Sequence, residues 1–394
     1  MSNTLSVIDM VTRESLRIAH EKLAFIGTID RSYDSSYAKS GGKIGDTLRV
    51  RNPNQYTRRT GSRVMNVQDQ AETTQNITVA TQDGVDMKFN SAELSLSIDE
   101  LSRRYIEPAV SVLVSGIEGD VISAVTKDVY NYTGTTTEIV GATDLDAISQ
   151  ARAKLNRGLA PKDNRCIQMD SVTMAAVVGG GRTLFHDGAQ LKTAFNEGYL
   201  GRFGGTNFYE NDRTYFHVSG SDHTTPTVND AAIADGDTAL TIAAGNLSVG
   251  DTFTIDAVFE VHPETKASYA TLQQFVVVTA PAATSITFSP AYYSTGAKQN
   301  VSALPVTGAA IVVYAGDGVD YQSNLMYHKD AFTFVTADLP IMDDAIRCVR
   351  RMQDGLSIRC WQGSDIRNDE LLLRLDILYG YKTLRPAWAC RINN

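Results

Sequence analysis

Residues 44–63 read IGDTLRVRNPNQYTRRTGSR and residues 99–132 read DELSRRYIEPAVSVLVSGIEGDVISAVTKDVYNY; these two stretches decide the fold. In the first, Leu48 and Val50 alternate with Arg49 and Arg51, the period-two pattern of a half-buried strand. A polar tract from Asn52 to Gln75 follows and carries Arg58, Arg59 and Arg63 around Gly61. The return leg alternates again through Ile77/Val79, Val85/Met87/Phe89 and Leu94/Leu96/Ile98. A hairpin so long and so polar at its tip cannot bury itself. Unstructured connections beyond about 12–15 residues are functional or disordered in most proteins, and the use that fits this one is to lie on another subunit.

The second stretch predicts a helix over 99–132. Asp99 suits an N-cap and Glu100 the first turn, where the helix dipole favours an acid. Apolar residues recur every four positions through Leu101, Tyr105, Ala109, Leu113, Ile117, Val121, Val125 and Val129. A second row runs through Ile106, Val110, Val114 and Ile122. Such a segment spans roughly 45 Å, and its stripe drifts by about 40° per step, so the helix meets different neighbours along its length. Pro108 removes one backbone bond and is expected to kink the helix or divide it. The same helix also suits the core of an ordinary α+β enzyme.

Working outward, 394 residues with 43% hydrophobic and 21% charged side chains are enough for two or three ordinary globular domains. A net charge of −9 excludes a protein that wraps nucleic acid on a basic face, so contact with DNA would be sparse and local. Cys166, Cys348, Cys360 and Cys390 are widely spaced, without CxxC or zinc spacing, as expected of reduced thiols made in a cytoplasm. The opening MSNTLSVIDM has no basic and apolar export signal. The longest apolar stretches, near Ala109–Val114 and Phe275–Val278, fall far short of a bilayer, so no membrane partner is expected.

Residues Thr4–Ile29 read as a helical arm and Asp144–Asn156 as a short helix ending in Lys154 and Arg157 before Gly158. Cys166–Met169 reads as a buried strand, and Ala175–Gly205 as glycine-rich loops with one short helix. Near Gly220 the texture changes to Thr, Ala, Val and Ser with few basic residues. Strand-like runs at Ala239–Ala243, Asp251–Phe259, Gln274–Thr279 and Ser285–Phe288 predict a small antiparallel barrel or sandwich set into a host domain. Its leading loop, Asp222–Asp237, is acidic. Beyond it, Ala310–Tyr314, Ala331–Thr336, Leu356–Cys360 and Leu371–Tyr379 read as strands and Asp343–Met352 as a short helix.

Nothing in the sequence argues for catalysis. The run Gly179-Gly180-Gly181-Arg182-Thr183 lacks the phosphate-loop spacing and its lysine. His328-Lys329-Asp330 reads as a strand-to-turn segment, and His186-Asp187 has no nucleophile context. Asp235-Gly236-Asp237 has no closing glutamate for calcium. The six histidines form no HExxH, and Asp343/Asp344 and Asp369/Glu370 suit solvated faces better than catalytic dyads. No cofactor is expected.

The order of arm, hairpin, long helix, glycine-rich segment, β module and closing strands resembles a tailed-bacteriophage major capsid protein, and more narrowly the coat proteins of short-tailed Salmonella phages. The residues that carry the likeness are Leu247–Ile255 (LSVGDTFTI), Gln274–Val277 (QFVV), Asn324–Phe332 (NLMYHKDAF) and Leu371–Tyr379 followed by Arg385-Pro386. The resemblance implies an α+β Hong Kong 97-type capsid fold with an inserted all-β, barrel-like domain. It implies an N-terminal arm over 1–41, an extended loop over 42–92 and a peripheral domain with the spine helix over 93–141. The apical domain would cover 142–220 and 309–337, the insertion 221–308, and the C-terminal part of the peripheral domain 338–394.

The function so implied is self-assembly into hexamers and pentamers of an icosahedral head that encloses the genome. The expected partners are further copies of the chain, a scaffolding protein, a portal protein and, non-specifically, packaged double-stranded DNA. The expected location is the virion, assembled in the bacterial host cytoplasm. Arg58, Arg59 and Arg63 would dock on acids of a neighbour, namely Glu100, Glu107, Asp343 or Asp344. The acidic loop, with Asp222, Asp230, Asp235 and Asp237, would reach an adjacent capsomer. A merely solvated loop is the plain alternative for the arginines. Another virion component, a decoration or tail protein, or an encapsulin-like compartment shell, is the alternative for the whole.

Overall fold

The computed structural model describes residues 7–32, 47–59, 61, 65, 67–68, 72–90, 105–135, 145–181, 202–223, 225–282, 284–342, 347–353, 356–365 and 370–394. Helix α1 (Val7–Lys22) precedes strands β1 (Thr47–Arg51), β2 (Thr74–Thr78) and β3 (Thr81–Asn90). Helix α2 (Glu107–Lys127) leads through β4 (Tyr132–Gly134) to α3 (Asp146–Arg157), β5 (Arg165–Met169) and α4 (Ser171–Gly181). Strands β6 (Arg202–Phe203), β7 (Thr206–Glu210) and β8 (Tyr215–His217) come next. Then follow β9 (Ala239–Thr241), β10 (Thr252–Val261), β11 (Ser268–Ala282), β12 (Ser285–Ser289) and β13 (Ile311–Val313). The chain closes with β14 (Tyr321–His328), β15 (Phe332–Ala337), β16 (Arg347–Gln353), β17 (Leu356–Asp365), β18 (Glu370–Thr383) and β19 (Ala389–Asn393).

The chain divides into two compact units. The first comprises Met1–Val50, Thr74–Val121 and Phe332–Leu384. Its sheet is built on β18, which pairs along one edge with β3 from Glu370↔Asn90 to Tyr379↔Thr81. The other edge takes β17 and then β15, and β16 pairs outside β17. Ile77, Val79, Val335, Ala337, Leu339, Leu378 and Leu384 form one core, against which Leu48 and Val50 pack. Helix α1 buries Val11, Leu16, Ile18 and Ala19 and lies on β16 and β17.

Several expectations change in this unit. Helix α1 ends at Lys22 rather than Ile29, because the Phe25 N–H leaves the helical pattern to donate to the buried Glu118 carboxylate of α2. Strand β3 is part of the body sheet, so the arm is shorter than 42–92. The expected helix over 343–352 is instead strand β16 from Arg347. Its seven residues pair with β17, and the cover provided by α1 decides between strand and helix where the short apolar pattern cannot. Positions 91–98 and the expected helix start at Asp99 lie outside the described residues.

Helix α2 is described from Glu107, with Pro108 its second residue and Tyr105 and Ile106 in a π-helical turn directly before it. The π-helical turn gives way to regular α-helix beside Pro108, so the helical pattern changes where the proline was expected to interrupt it. The helix stops at Lys127 instead of Tyr132, because Asp128 and Val129 donate to Val125 and Thr126 in tighter turns and Tyr132 enters strand β4. By length and hydropathy α2 is apolar enough to cross a membrane, which the shorter uninterrupted runs did not indicate. Here it buries Val110, Leu113, Val114, Ile117, Val121, Ile122 and Val125 inside the protein.

The second unit comprises Arg51–Thr73, Ile122–Ala331 and Arg385–Asn394. Its larger sheet runs β4-β19-β14-β5-β7-β6, with β8 beside β14. Ile167, Met169, Phe208, Met326, Cys390 and Ile392 of this sheet form a core with Ile148, Ala151 and Leu155 of α3 and with Met174 and Val177 of α4. The last ten residues thus belong to this unit, not to the C-terminal part of the peripheral domain expected over 338–394.

The β module forms an antiparallel sheet of order β13-β10-β11-β12-β9. Its core stacks Phe253 on Phe275 at 5.6 Å and sets Tyr292 edge-on to Phe275 at 5.1 Å. The named strands make a five-stranded sheet rather than a closed barrel. Residues 226–229 link its two edges by isolated backbone bonds to 308–311 and 241–243. Strand β13 belongs to this sheet, so the module extends past the expected limit at 308.

In the first unit, Arg359 and Asp376 form a buried ion pair at 2.5 Å, and the guanidinium also donates to the Pro340 carbonyl at 3.0 Å. Asp376→Ala leaves a buried cation unpaired and is expected to cost roughly 3–5 kcal/mol in chemical unfolding. Arg359→Met combined with Asp376→Leu is expected to recover most of that loss. Equal losses in the single and double variants would contradict the assignment.

Candidate functional site

The arm begins as the β1–β2 ladder and continues through Asn52 N–H to Thr73 O at 2.9 Å. Farther out, the Gln68 side chain accepts from Thr57 N–H at 2.9 Å and donates to Thr57 O at 2.7 Å, reproducing a strand pair with an amide. Arg51 and Glu72 form an exposed pair at 3.3 Å, worth less than about 1 kcal/mol. Tyr56, Met65 and Val67 are 55%, 81% and 79% exposed. Large apolar side chains gathered in one tract and left in water mark an interaction surface. Arg58 and Arg59 stand exposed among them.

Of the acids expected to receive these arginines, Glu107 is exposed in the first turn of α2. Arg63, Glu100, Asp343 and Asp344 lie outside the described residues. The acidic loop is held by its own chain. Asp230 accepts from Ala232 N–H at 3.1 Å and Asp237 from Ala234 N–H at 2.7 Å. Asp235 accepts from Ser294 N–H at 2.7 Å, from Ser294 Oγ at 2.9 Å and from Thr295 Oγ1 at 2.8 Å. Those bonds, the Ser294 amide first, hold its carboxyl below the usual carboxylate range. Asp222 is exposed and its backbone bridges to Asn246.

Sequence reasoning missed the neck of the β module. Asp251, 1% exposed, accepts from His217 Nε2 at 2.6 Å, Ser248 N–H at 2.6 Å and Gly220 N–H at 3.2 Å. His223 Nε2 lies 3.3 Å from its second oxygen, a charge contact rather than an aligned hydrogen bond. Burial works against charge on Asp251, yet the contacts from His217, His223 and Ser248 outweigh it and bring its pKa down to about 2. Gly220 is obligatory, since a Cβ there would fall on the Asn246 carbonyl oxygen.

Arg391 of β19, fully buried, donates to Gly250 O at 2.7 Å and to Lys127 O at 2.9 Å. One guanidinium therefore caps the C-terminus of α2 and holds the turn that presents Asp251. A second joint sets Glu260 of β10 against Lys154 at 3.2 Å and Arg157 at 3.0 Å, both on α3. At a third, the Gln274 side chain accepts from Tyr132 N–H and donates to Tyr132 O, each at 3.1 Å. Three separate polar joints fix the module to the larger sheet and its helix. The acid beside a glycine at Gly250-Asp251, and a histidine three residues after Gly220, were the available signals.

The sequence profile of the P22 coat protein family (P22 coat protein, gene protein 5) matches residues 66–390. The chain belongs to the P22 coat protein family. It is a structural protein, a major capsid protein of a tailed phage, and its fold is α+β as expected. A solved structure from Mycobacterium phage Che8 is similar at 10% identity, over 94% of this chain and 90% of that one, with a TM-score of 0.49. The capsid structure of Cyanophage P-SCSP1u is similar at 11% identity, over 89% of this chain and 84% of that one, with a TM-score of 0.47. The CUS-3 coat protein I-domain shares 29% identity over 25% of this chain and 93% of its own, with a TM-score of 0.18. No curated protein matches the chain.

The lowered pKa of Asp251 makes its contribution pH-dependent. The stabilisation is full above the ordinary carboxylate value of 3.8 and is lost as pH falls through about 2. Asp251→Asn is expected to lower stability at pH 7 on the order of 2 kcal/mol, with the difference closing toward pH 2. Urea unfolding of both proteins at the two pH values measures this. A difference independent of pH would contradict it.

Proposed function

We propose that this coat protein assembles into hexamers and pentamers by laying its arm over the neighbouring subunit. The observation that carries the reading is the exposed tract bearing Tyr56, Met65 and Val67 beside Arg58 and Arg59. Transfer of those apolar side chains to a neighbour supplies the non-directional part of the contact. The arginines, with Arg63, would supply direction by forked hydrogen bonds to acids of that neighbour, for which Glu107, Glu100, Asp343 and Asp344 are the candidates. The loop carrying Asp222, Asp230, Asp235 and Asp237 would face an adjacent capsomer, with Asp222 and Asp235 its exposed acids.

Individual contacts in such a lattice should be weak. A millimolar contact of about −4 kcal/mol lets a misplaced subunit leave, while several contacts per subunit hold the finished shell. A scaffolding protein would set curvature, a portal ring would occupy one vertex, and an acidic chain would touch packaged DNA only sparsely. Assembly would take place in the host cytoplasm.

Arg58→Ala, Arg59→Ala and Arg63→Ala combined are expected to leave the subunit folded by circular dichroism but to abolish closed shells. Negative-stain microscopy after co-expression with the scaffold reads the outcome. Normal yields of icosahedral particles would overturn the role of the arm's arginines.

A further inference from the structure

The neck of the β module contains a histidine whose two ring nitrogens both face acceptors. His223 Nδ1 is 2.8 Å from the Ala315 carbonyl oxygen, and a carbonyl can only accept. Its Nε2 is 3.3 Å from Asp251 Oδ2, on a carboxylate that can only accept. Neutral imidazole carries one N–H, so it would leave a lone pair directed at an oxygen lone pair in a site where the side chain is 4% exposed. Only the imidazolium both donates to the Ala315 carbonyl through Nδ1 and turns positive charge toward the carboxylate at Nε2, where the contact is one of charge. His217 differs, because its Nδ1 meets the Tyr215 hydroxyl at 3.0 Å, which can donate.

The position of His223 gives that proton a structural consequence. The chain enters the module at Gly220 and leaves it at Ala315–Gly318, where Gly318 N–H donates to Gly220 O at 2.9 Å. His223 N–H donates to Asp317 and its ring reaches Ala315, so one residue holds the outgoing chain by backbone and by side chain. Through Asp251 the same ring is tied to the incoming Gly220 and to the turn that opens β10.

We propose that His223 is a proton-operated latch at the neck of the β module, closing the incoming and outgoing chain on Asp251 as an imidazolium and releasing them when it loses its proton. The groups around it are Asp251 and Asp317, with His217 and Tyr215 of β8 and Tyr321 of β14 behind Asp251. Lys127 lies 5.3 Å over the Tyr215 ring, and Arg391 sits beneath the Gly250 turn. Burial opposes the charge on His223, but Asp251, the Ala315 carbonyl and Asp317 outweigh it and raise its pKa above 6.5. The sign follows: the latch contributes fully below pH 6.5 and is lost as pH rises through the raised value. This inference rests on the neck geometry and not on how subunits contact one another.

The full-length chain, labelled with 13C at the histidine ring carbons, has six histidines to follow by NMR titration. One is expected to titrate above 6.5 and to vanish in His223→Gln. Asp317→Asn is expected to lower the pKa of that resonance alone, which assigns it even if His223→Gln does not fold. Hydrogen exchange of peptides covering 219–223 and 314–320, corrected for intrinsic rate, is expected to lose protection as pH rises past that value. In His223→Gln the corrected profile is expected to be flat. Six histidines all titrating at or below 6.5, or corrected exchange at the neck that ignores pH in the wild-type chain, would overturn the latch.

Discussion

Apolar surface that the chain does not bury is the constraint on which the rest of the structure depends. Two strands, a Gln68–Thr57 amide pair and a packed base at Leu48 and Val50 build the arm, yet its outer tract keeps Tyr56, Met65 and Val67 in water. Evolution tolerates such exposure when another surface covers it, and a capsid protein has identical surfaces available in every neighbour. The arm's internal bonds matter for that use. A tract whose base is already paired as far as Thr57 and Gln68 loses less conformational entropy on docking than a wholly free loop would.

Around the β module the constraint is polar. Its joints to the larger sheet and α3 are made by Asp251, Arg391, Glu260 and Gln274, each directed at named partners. Buried polar contacts tolerate little displacement, because each lost partner leaves a desolvated group behind. A joint of this kind fixes orientation more strictly than an apolar one of equal area. That suits a module whose position must repeat from copy to copy.

Much of this was legible in the sequence. Helix α3 shows Asp146 in its first turn, Lys154 and Arg157 in its last and Gly158 beyond, and the structure ends it there. Strands β10, β11 and β12 contain β-branched runs bounded by turn residues. Strands β14 and β19 were not read as strands, although they lie at the centre of the larger sheet. Their buried polar residues give no apolar alternation to read, and they are accommodated by side-chain bonds from Ser323 to Asn393 and from Asn324 to Asn394. Strand β16 read as a helix because a short Arg-rich run has no decisive period, and its partner strand decided the matter. The arm was visible as a long polar hairpin. The neck was not, since His217, His223, Asp251 and Arg391 are brought together only by the fold.

The central claim is that the arm finds its partner surface on another copy of the chain. Particles assembled from an equal mixture of 14N- and 15N-labelled protein, carrying a photo-reactive residue in place of Met65, test it most directly. Irradiation followed by mass spectrometry of the cross-linked peptides should give pairs that join one isotope to the other. Cross-links confined to peptides of a single isotope would place the arm on its own body and contradict the account.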